Sequence, residues 1–226
     1  MSLTTGRGPF SAQPAGRFHP ALDGAYSYVE PFARRVWARR AGAVVVDSER
    51  VLLVHRPGRP PEYLFPAADV GAGIATTPEP LADGYVQVAW DAVDEWYEEG
   101  SRVHGHPRNP YHRIDIIPTD RRLLVSVGGT VLVDTTRTLG LWETSLAPRL
   151  YVARDSVRME LLRPSETRTY CPYKGTASYF HAEAGGEHFP DVAWTYEQPF
   201  PESAPIAGML AFEPSRATVT EAFPRP

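Results

Sequence analysis

The 226-residue sequence holds one cysteine, Cys171, and among its 23 basic residues one lysine, Lys174. A lone cysteine excludes an internal disulfide and any multi-cysteine zinc centre. No apolar run approaches the roughly 20 residues of a membrane helix, and residues 1–18 lack the apolar core of a signal peptide. Positive charge is not in excess: a net charge of −4 and a pI near 6.0 argue against electrostatic binding to nucleic acid. A Walker loop, a Gly-x-Ser-x-Gly elbow and a His-Glu-x-x-His pair are all missing, and Gly71-Ala-Gly73 has no third glycine in a strand–helix setting. These absences leave a cytoplasmic protein as the expectation, with no cofactor, no metal, no membrane and no nucleic acid; a homodimer is left open.

What is present is ordinary for a globular chain, with 42% hydrophobic and 22% charged residues. The length suits one large domain or two small ones. Pro and Gly are frequent (23 and 18), which favours many short strands joined by turns. The Arg-for-Lys bias fits a GC-rich genome, but bias does not explain the retained lysine. Lys alone of the two can lose its proton, act as an amine nucleophile or serve as a compact point charge. It stands three residues from the only cysteine.

Residues 1–31 read as an extended arm, with Phe10, Phe18, Tyr26 and Tyr28 able to lie over the body. From there the chain repeats itself at an offset of 87. Arg34-Arg35 aligns with Arg121-Arg122, Gly42–Asp47 with Gly129–Asp134, Leu52 with Leu139, Pro61 with Pro148 and Val70 with Val157. This indicates an internal duplication. Looser matches pair Trp96-Tyr97-Glu98 with Thr195-Tyr196-Glu197 and Ile117-Pro118 with Glu213-Pro214, giving a first domain over 32–118 and a second over 119–226. Runs of Val and Leu predict strands at 36–39, 43–46 and 51–54, and again at 123–127 and 130–133. Hairpins are predicted at 43–54 and 130–141, and strands at 63–65 and 150–152. Trp90, Val93 and Tyr97 at helical spacing predict a short amphipathic helix over 89–99. A second helix is predicted over 202–210. The fold class is therefore mainly β with short helical decorations.

The second copy carries a segment, 158–181, with no counterpart in the first. There, and further along, the chain resembles a known family. Thr169-Tyr-Cys-Pro-Tyr-Lys-Gly-Thr-Ala-Ser-Tyr179, Ala193-Trp-Thr-Tyr-Glu-Gln-Pro199 and Ile206-Ala-Gly-Met-Leu-Ala-Phe212 look like the DUF427 family, a domain of unknown function. The resemblance is to its two-copy bacterial members, in which a segment like His106-Pro-Arg-Asn-Pro-Tyr-His-Arg113 closes an incomplete first copy. It implies two tandem domains of the Mss4-like, or β-tent, fold. Relatives of that fold often hold zinc with two Cys-x-x-Cys pairs, which this chain cannot supply. No reaction comes with the resemblance.

Pro172 and Gly175 shape Tyr170–Gly175 into a loop fit to present side chains. Lys174 could act there as acid, base, amine nucleophile or anion ligand, with Tyr173 and Cys171 beside it, and a nearby cation would lower the thiol pKa. The alternative is a core cysteine and a salt-bridged rim lysine. Tyr170, Tyr179, Trp194 and Tyr196 could wall a pocket for a flat ligand, or they could be the aromatic core of a small β domain. If the site is functional, a carboxylate such as Glu197 or Glu166 should face Lys174. Trp194 and Tyr196, two apart on a strand, should share a face. His104-x-His106 with His112 resembles a metal set but lacks a carboxylate partner. Arg108, Tyr111 and Arg113 read as an anion or interdomain clamp, or as a plain connecting loop. Three functions stay open: a small-molecule enzyme working through Lys174, a non-catalytic aromatic cage, and a structural protein without a site. A Lys174→Arg change should leave folding nearly intact if Lys174 works in a pocket.

Overall fold

The computed structural model describes residues 12–13 and 26–223. Phe10, Phe18 and most of the expected arm lie outside the described residues. The described chain is mainly antiparallel sheet and divides into two compact units. One runs through His112 and includes Thr144–Leu146; the other comprises Arg113–Glu143 and residues from Ala147 on.

The first unit contains β1 (Tyr28–Pro31), β2 (Val36–Arg40), β3 (Ala43–Ser48), β4 (Leu52–His55), β5 (Glu62–Pro66), β6 (Thr76–Pro78), β7 (Tyr85–Val88), β8 (Glu95–Glu98) and β9 (Ser101–Val103). These form a five-stranded sheet ordered β1-β4-β5-β7-β6 and a four-stranded sheet ordered β3-β2-β8-β9. Alternating side chains of both sheets meet in one core, with Val36, Ala38 and Val46 from one facing Leu53, Tyr63, Phe65 and Val88 from the other. Fully burying a side chain such as Leu53 or Phe65 contributes about 1.5–3 kcal/mol.

The second unit contains β10 (Ile114–Thr119), β11 (Arg122–Val127), β12 (Thr130–Thr135), β13 (Thr138–Glu143), β14 (Arg149–Val152), β15 (Leu162–Cys171), β16 (Gly175–Ala184), β17 (Glu187–Thr195), β18 (Leu210–Phe212) and β19 (Thr218–Ala222). Its sheets are ordered β10-β13-β14-β18-β17-β16-β15 and β12-β11-β19. Leu123, Val125 and Leu132 of the small sheet pack on Val152, Phe180, Val192 and Phe212 of the large one.

The two units share backbone register in detail. Leu52 pairs Leu64 and Leu53 pairs Tyr63 in the first; Leu139 pairs Tyr151 and Gly140 pairs Leu150 in the second. Bulges interrupt β2–β3 at Ala38/Arg39 and β11–β12 at Val125/Ser126. Single bridges join Val46 to Val70 and Val133 to Val157. Arg35–Asp47 and Arg122–Asp134 form ion pairs of the same 2.6 Å length. In each, the guanidinium hydrogen-bonded to the carboxylate holds the aspartate below its usual pKa. Every one of these correspondences lies at the offset of 87.

Several expectations are overturned. The hairpins do not fall at 43–54 and 130–141: β3 pairs β2 while β4 pairs β1 and β5, so the chain leaves one sheet at Ser48 and enters the other at Leu52. The tight hairpins instead turn at Ala41-Gly42 and Gly128-Gly129, where positive φ values suit the turn. Tyr28–Pro31 is not free arm but a strand on β4, and Pro31 opposite Leu52 is the register match of Pro118 opposite Leu139. The helix over 89–99 is replaced by a 3-10 turn at Trp90–Ala92 and by β8. Trp96 and Glu98 are buried while Glu95 and Tyr97 are only partly so, a strand alternation that tertiary pairing with β2 selects over the helical spacing. By register, β8 corresponds to β19 and not to 195–197: Val36 pairs Glu98 as Leu123 pairs Glu221. The helix over 202–210 shrinks to a 3-10 turn at Pro201–Ile206, with Pro205 inside it and Gly208 at φ +68° beyond it. Among the described residues, helix is confined to five such 3-10 segments.

Candidate functional site

β15 and β16 form a hairpin whose last pair is Cys171–Gly175, with Pro172, Tyr173 and Lys174 as the connection. The Lys174 backbone N–H donates to Cys171 O at 3.3 Å, and Lys174 O accepts from Phe200 N–H at 3.2 Å. Gly175 sits at φ +96°, and a Cβ there would stand 3.4 Å from the Gln198 carbonyl oxygen. The Cβ distance is an ordinary contact, so it is the positive φ that favours glycine at this position.

Lys174 is buried, and its ammonium is in direct contact with Glu143 Oε2 at the end of β13; the two side chains are 8% and 5% exposed. Its Nζ lies 6.0 Å from the centre of the Tyr196 ring. The carboxylate that meets Lys174 is thus Glu143. Glu197 is half exposed and pairs instead with Arg154, whose Nε also donates to Gly208 O at 3.1 Å. Glu166 is exposed. A Lys174→Arg exchange is therefore not a surface change, because it would force a larger fork into a filled, paired position.

The aromatic residues separate onto two faces of the hairpin. Tyr179 pairs Trp194, and with Cys171, Tyr196 and Tyr151 they belong to one apolar cluster around Leu141, Ile206 and Ala211. Trp194 Nε1 donates to Tyr151 Oη at 3.1 Å, and Tyr179 Oη lies 2.9 Å from Thr169 Oγ1. Burial pushes the Tyr151 and Tyr196 phenols above their ordinary pKa. Trp194 and Tyr196 share a face, and Cys171 is a half-buried free thiol packed at the edge of the cluster.

Tyr170 pairs Thr176 and so points to the other face. There an open groove of about 310 Å³ is bordered by Tyr170, Thr176, Ser178, Glu197, Gln198 and Phe200. Tyr170 and Phe200 stand edge to face, 6.4 Å apart at 79°. Tyr173 is half-buried in the turn.

The remaining sequence candidates fall elsewhere. In the first unit, the Arg108 backbone N–H donates to Glu98 at 3.2 Å and Tyr111 Oη donates to Glu30 at 2.5 Å. That carboxylate raises the Tyr111 pKa. Arg113, in the second unit, is exposed and pairs Asp115 at 2.8 Å. Among the described residues no group of three His, Cys, Asp or Glu side chains is placed to hold a metal.

Sequence reasoning missed Glu143, Thr176, Ser178, Gln198 and Phe200. Glu143 carried one usable signal, because the offset of 87 sets it opposite Arg56, a charge at the end of a strand in both copies. No local pattern marks the others.

The second unit is a twisted antiparallel β domain with a lysine-anchored hairpin turn beside an open groove. Residues 115–222 match the model of a family described as a domain of unknown function, DUF427. No curated protein matches the chain. No helix among the described residues is long and apolar enough to cross a membrane.

Proposed function

We propose that the second unit is a non-catalytic binding domain for a small polar organic molecule, held in the groove between Tyr170 and Phe200. One observation carries this reading: the Glu143–Lys174 contact uses the lysine to fix the turn that forms the groove wall. An amine buried against a carboxylate is not presented to the groove as a free nucleophile. The groove supplies two aromatic edges for an apolar face and offers hydroxyl, amide and carboxylate groups for orientation. Lys174 is then a positioning residue, which separates this reading from amine chemistry.

The test is a thermal-shift screen of metabolite-sized compounds against wild type, Tyr170→Ala and Phe200→Ala. Compounds that stabilise wild type and lose their effect in both variants support the groove. Compounds whose effect survives both variants, or that are chemically converted by the protein, overturn it.

We infer further that the two units descend from one duplicated ancestor. The shared bulges, bridges and ion pairs at one offset support this. The Mss4-like class belongs to the same reading, supported by two antiparallel sheets closing over one core in each unit.

A further inference from the structure

We propose that the first unit holds a second, separate binding site, for a neutral planar molecule of one or two rings. The inference does not depend on the groove of the other unit. It rests on a cavity of about 230 Å³ at the end of β5 and β7, bordered by Tyr63, Gln87, Val88, Trp90, Trp96 and His106.

The register explains why this cavity exists. Thr76 opens β6 and pairs Val88 of β7, as Ala193 of β17 pairs Phe212 of β18. In the second unit β17 extends six residues further back, to Glu187, and pairs with β16 so that Phe180 and Phe189 close the end of the core. The first unit has no such strands. It places larger side chains at the matching positions, Tyr63 for Leu150, Phe65 for Val152 and Trp96 for Val219, and these fill only part of the space.

The walls are arranged for a flat ligand. Trp90 and Trp96 lie 5.3 Å apart at 23°, and Tyr63 lies 6.4 Å from Trp90 at 27°, so the rings are near-parallel plates. Their polar atoms are tied elsewhere. Trp96 Nε1 donates to Trp90 O at 2.9 Å, and Tyr63 Oη donates to Glu98 at 2.5 Å. What remains towards the cavity is chiefly the half-buried Trp90 ring, because Tyr63 and Trp96 are 4% and 3% exposed and pack it from behind.

Charge balance selects a neutral occupant. Glu98 is already compensated by Arg34 at 2.5 Å and by the Arg108 N–H, and Glu62 is paired with Arg56. No bordering carboxylate is left over to favour a cation. Arg59 also borders the cavity but is engaged by a partner of its own and is not a free cation, and the negative faces of the rings oppose an anion. Polar recognition comes from the Gln87 amide, beside the neutral ring of His106. His106 Nδ1 lies 2.7 Å from Pro107 O, a pure acceptor, so Nδ1 carries the proton and Nε2 is the acceptor of the ring. Burial lowers the His106 pKa and keeps the ring neutral at pH 7. A ring bearing both a donor and an acceptor, such as an aromatic amide, matches this set.

The experiment titrates the 15N-labelled full chain with benzamide, benzoate and benzyltrimethylammonium, three probes of similar size and different charge. The readout is the indole N–H signals, with that of Trp90 assigned from Trp90→Phe. Benzamide should shift the Trp90 signal saturably, and the other two should bind at least about tenfold more weakly. Trp90→Ala should weaken benzamide by roughly tenfold, the loss of one stacking partner, while the remaining indole signals keep their positions. Gln87→Leu, which preserves shape, should weaken it several-fold and provides a second test should Trp90→Ala fail to fold. The proposal is overturned if benzamide leaves the Trp90 signal unmoved, if benzoate or the ammonium compound binds as well as benzamide, or if folded variants bind it as wild type does.

Discussion

The two units solve one construction problem with opposite charges. In the second, Glu143 at the end of β13 meets Lys174, delivered by the β15–β16 hairpin. In the first, which lacks that hairpin, the matching position is Arg56. It bridges Glu62, the register match of Arg149, and Glu79, which follows β6 as Tyr196 follows β17. Backbone register is kept while side-chain polarity is inverted. The comparison teaches that the sheet frame is specified by pairing and core alternation. The buried charge at its end is free to change sign provided that its partner changes too.

The largest test of this comparison removes one partner. Lys174→Met takes the ammonium away from the buried Glu143 carboxylate and should cost about 3–5 kcal/mol. Adding Glu143→Gln should recover much of the loss, a coupling that a double-mutant cycle in urea reads directly. Arg56→Met should cost less, about 1–3 kcal/mol, because Arg56 and Glu62 are each about one quarter exposed. Equal losses at Lys174 and Arg56 would break the argument that burial sets the difference.

A sharper and smaller contrast lies at the hairpin turns. Ala41 (φ +49°) and Gly128 (φ +51°) are register equivalents, but a Cβ on Gly128 would stand 2.7 Å from the Phe189 ring of β17. Gly128→Ala should cost about 1–3 kcal/mol from strain and crowding. Ala41→Gly should stabilise by up to about 1 kcal/mol by relieving the left-handed conformation. Thermal unfolding of the two variants measures both signs.

Acid should then act on the units unequally. The folded pKa of His106 is lowered from 6.5 by burial, so below about pH 6.5 the unfolded chain takes up a proton that the folded first unit resists. Stability of that unit should fall as pH drops from 7 towards 5, and His106→Gln should flatten the slope. The smallest effect is the symmetric one. Asp47 and Asp134 have depressed folded pKa values, so each ion pair contributes fully above about pH 3.8 and is lost as pH falls through the folded value. Arg35→Ala and Arg122→Ala should shift the acid midpoint in the same direction, as both pairs are solvent-exposed.

Much of the frame was legible because it is written locally. Val36–Arg40, Ala43–Ser48 and Leu123–Val127 announce strands through β-branched residues, and the offset of 87 reports matched positions such as Arg35–Asp47 and Arg122–Asp134. What misled was equally local. Asp47–Arg50 looks like a hairpin turn, but it is the crossing between two sheets, a choice made by partners distant in sequence. Trp90, Val93 and Tyr97 carry a helical spacing that pairing with β2 overrides. The Cys-Pro-Tyr-Lys-Gly turn stood out for its composition, whereas Glu143, 31 residues earlier, did not.

Composition and periodicity alone determined a mainly β chain, one lysine three residues from one cysteine, and residues that match at an offset of 87. Each of those depends on residue identity or on neighbours within one strand. Tertiary structure decided which strands pair and which carboxylate holds Lys174. It also decided that Tyr170 and Tyr179 face opposite ways, and that the first unit keeps an aromatic cavity beside Trp90. Those outcomes follow from long-range register, in which a shift of one residue sends a side chain to the other face and no local pattern records the choice.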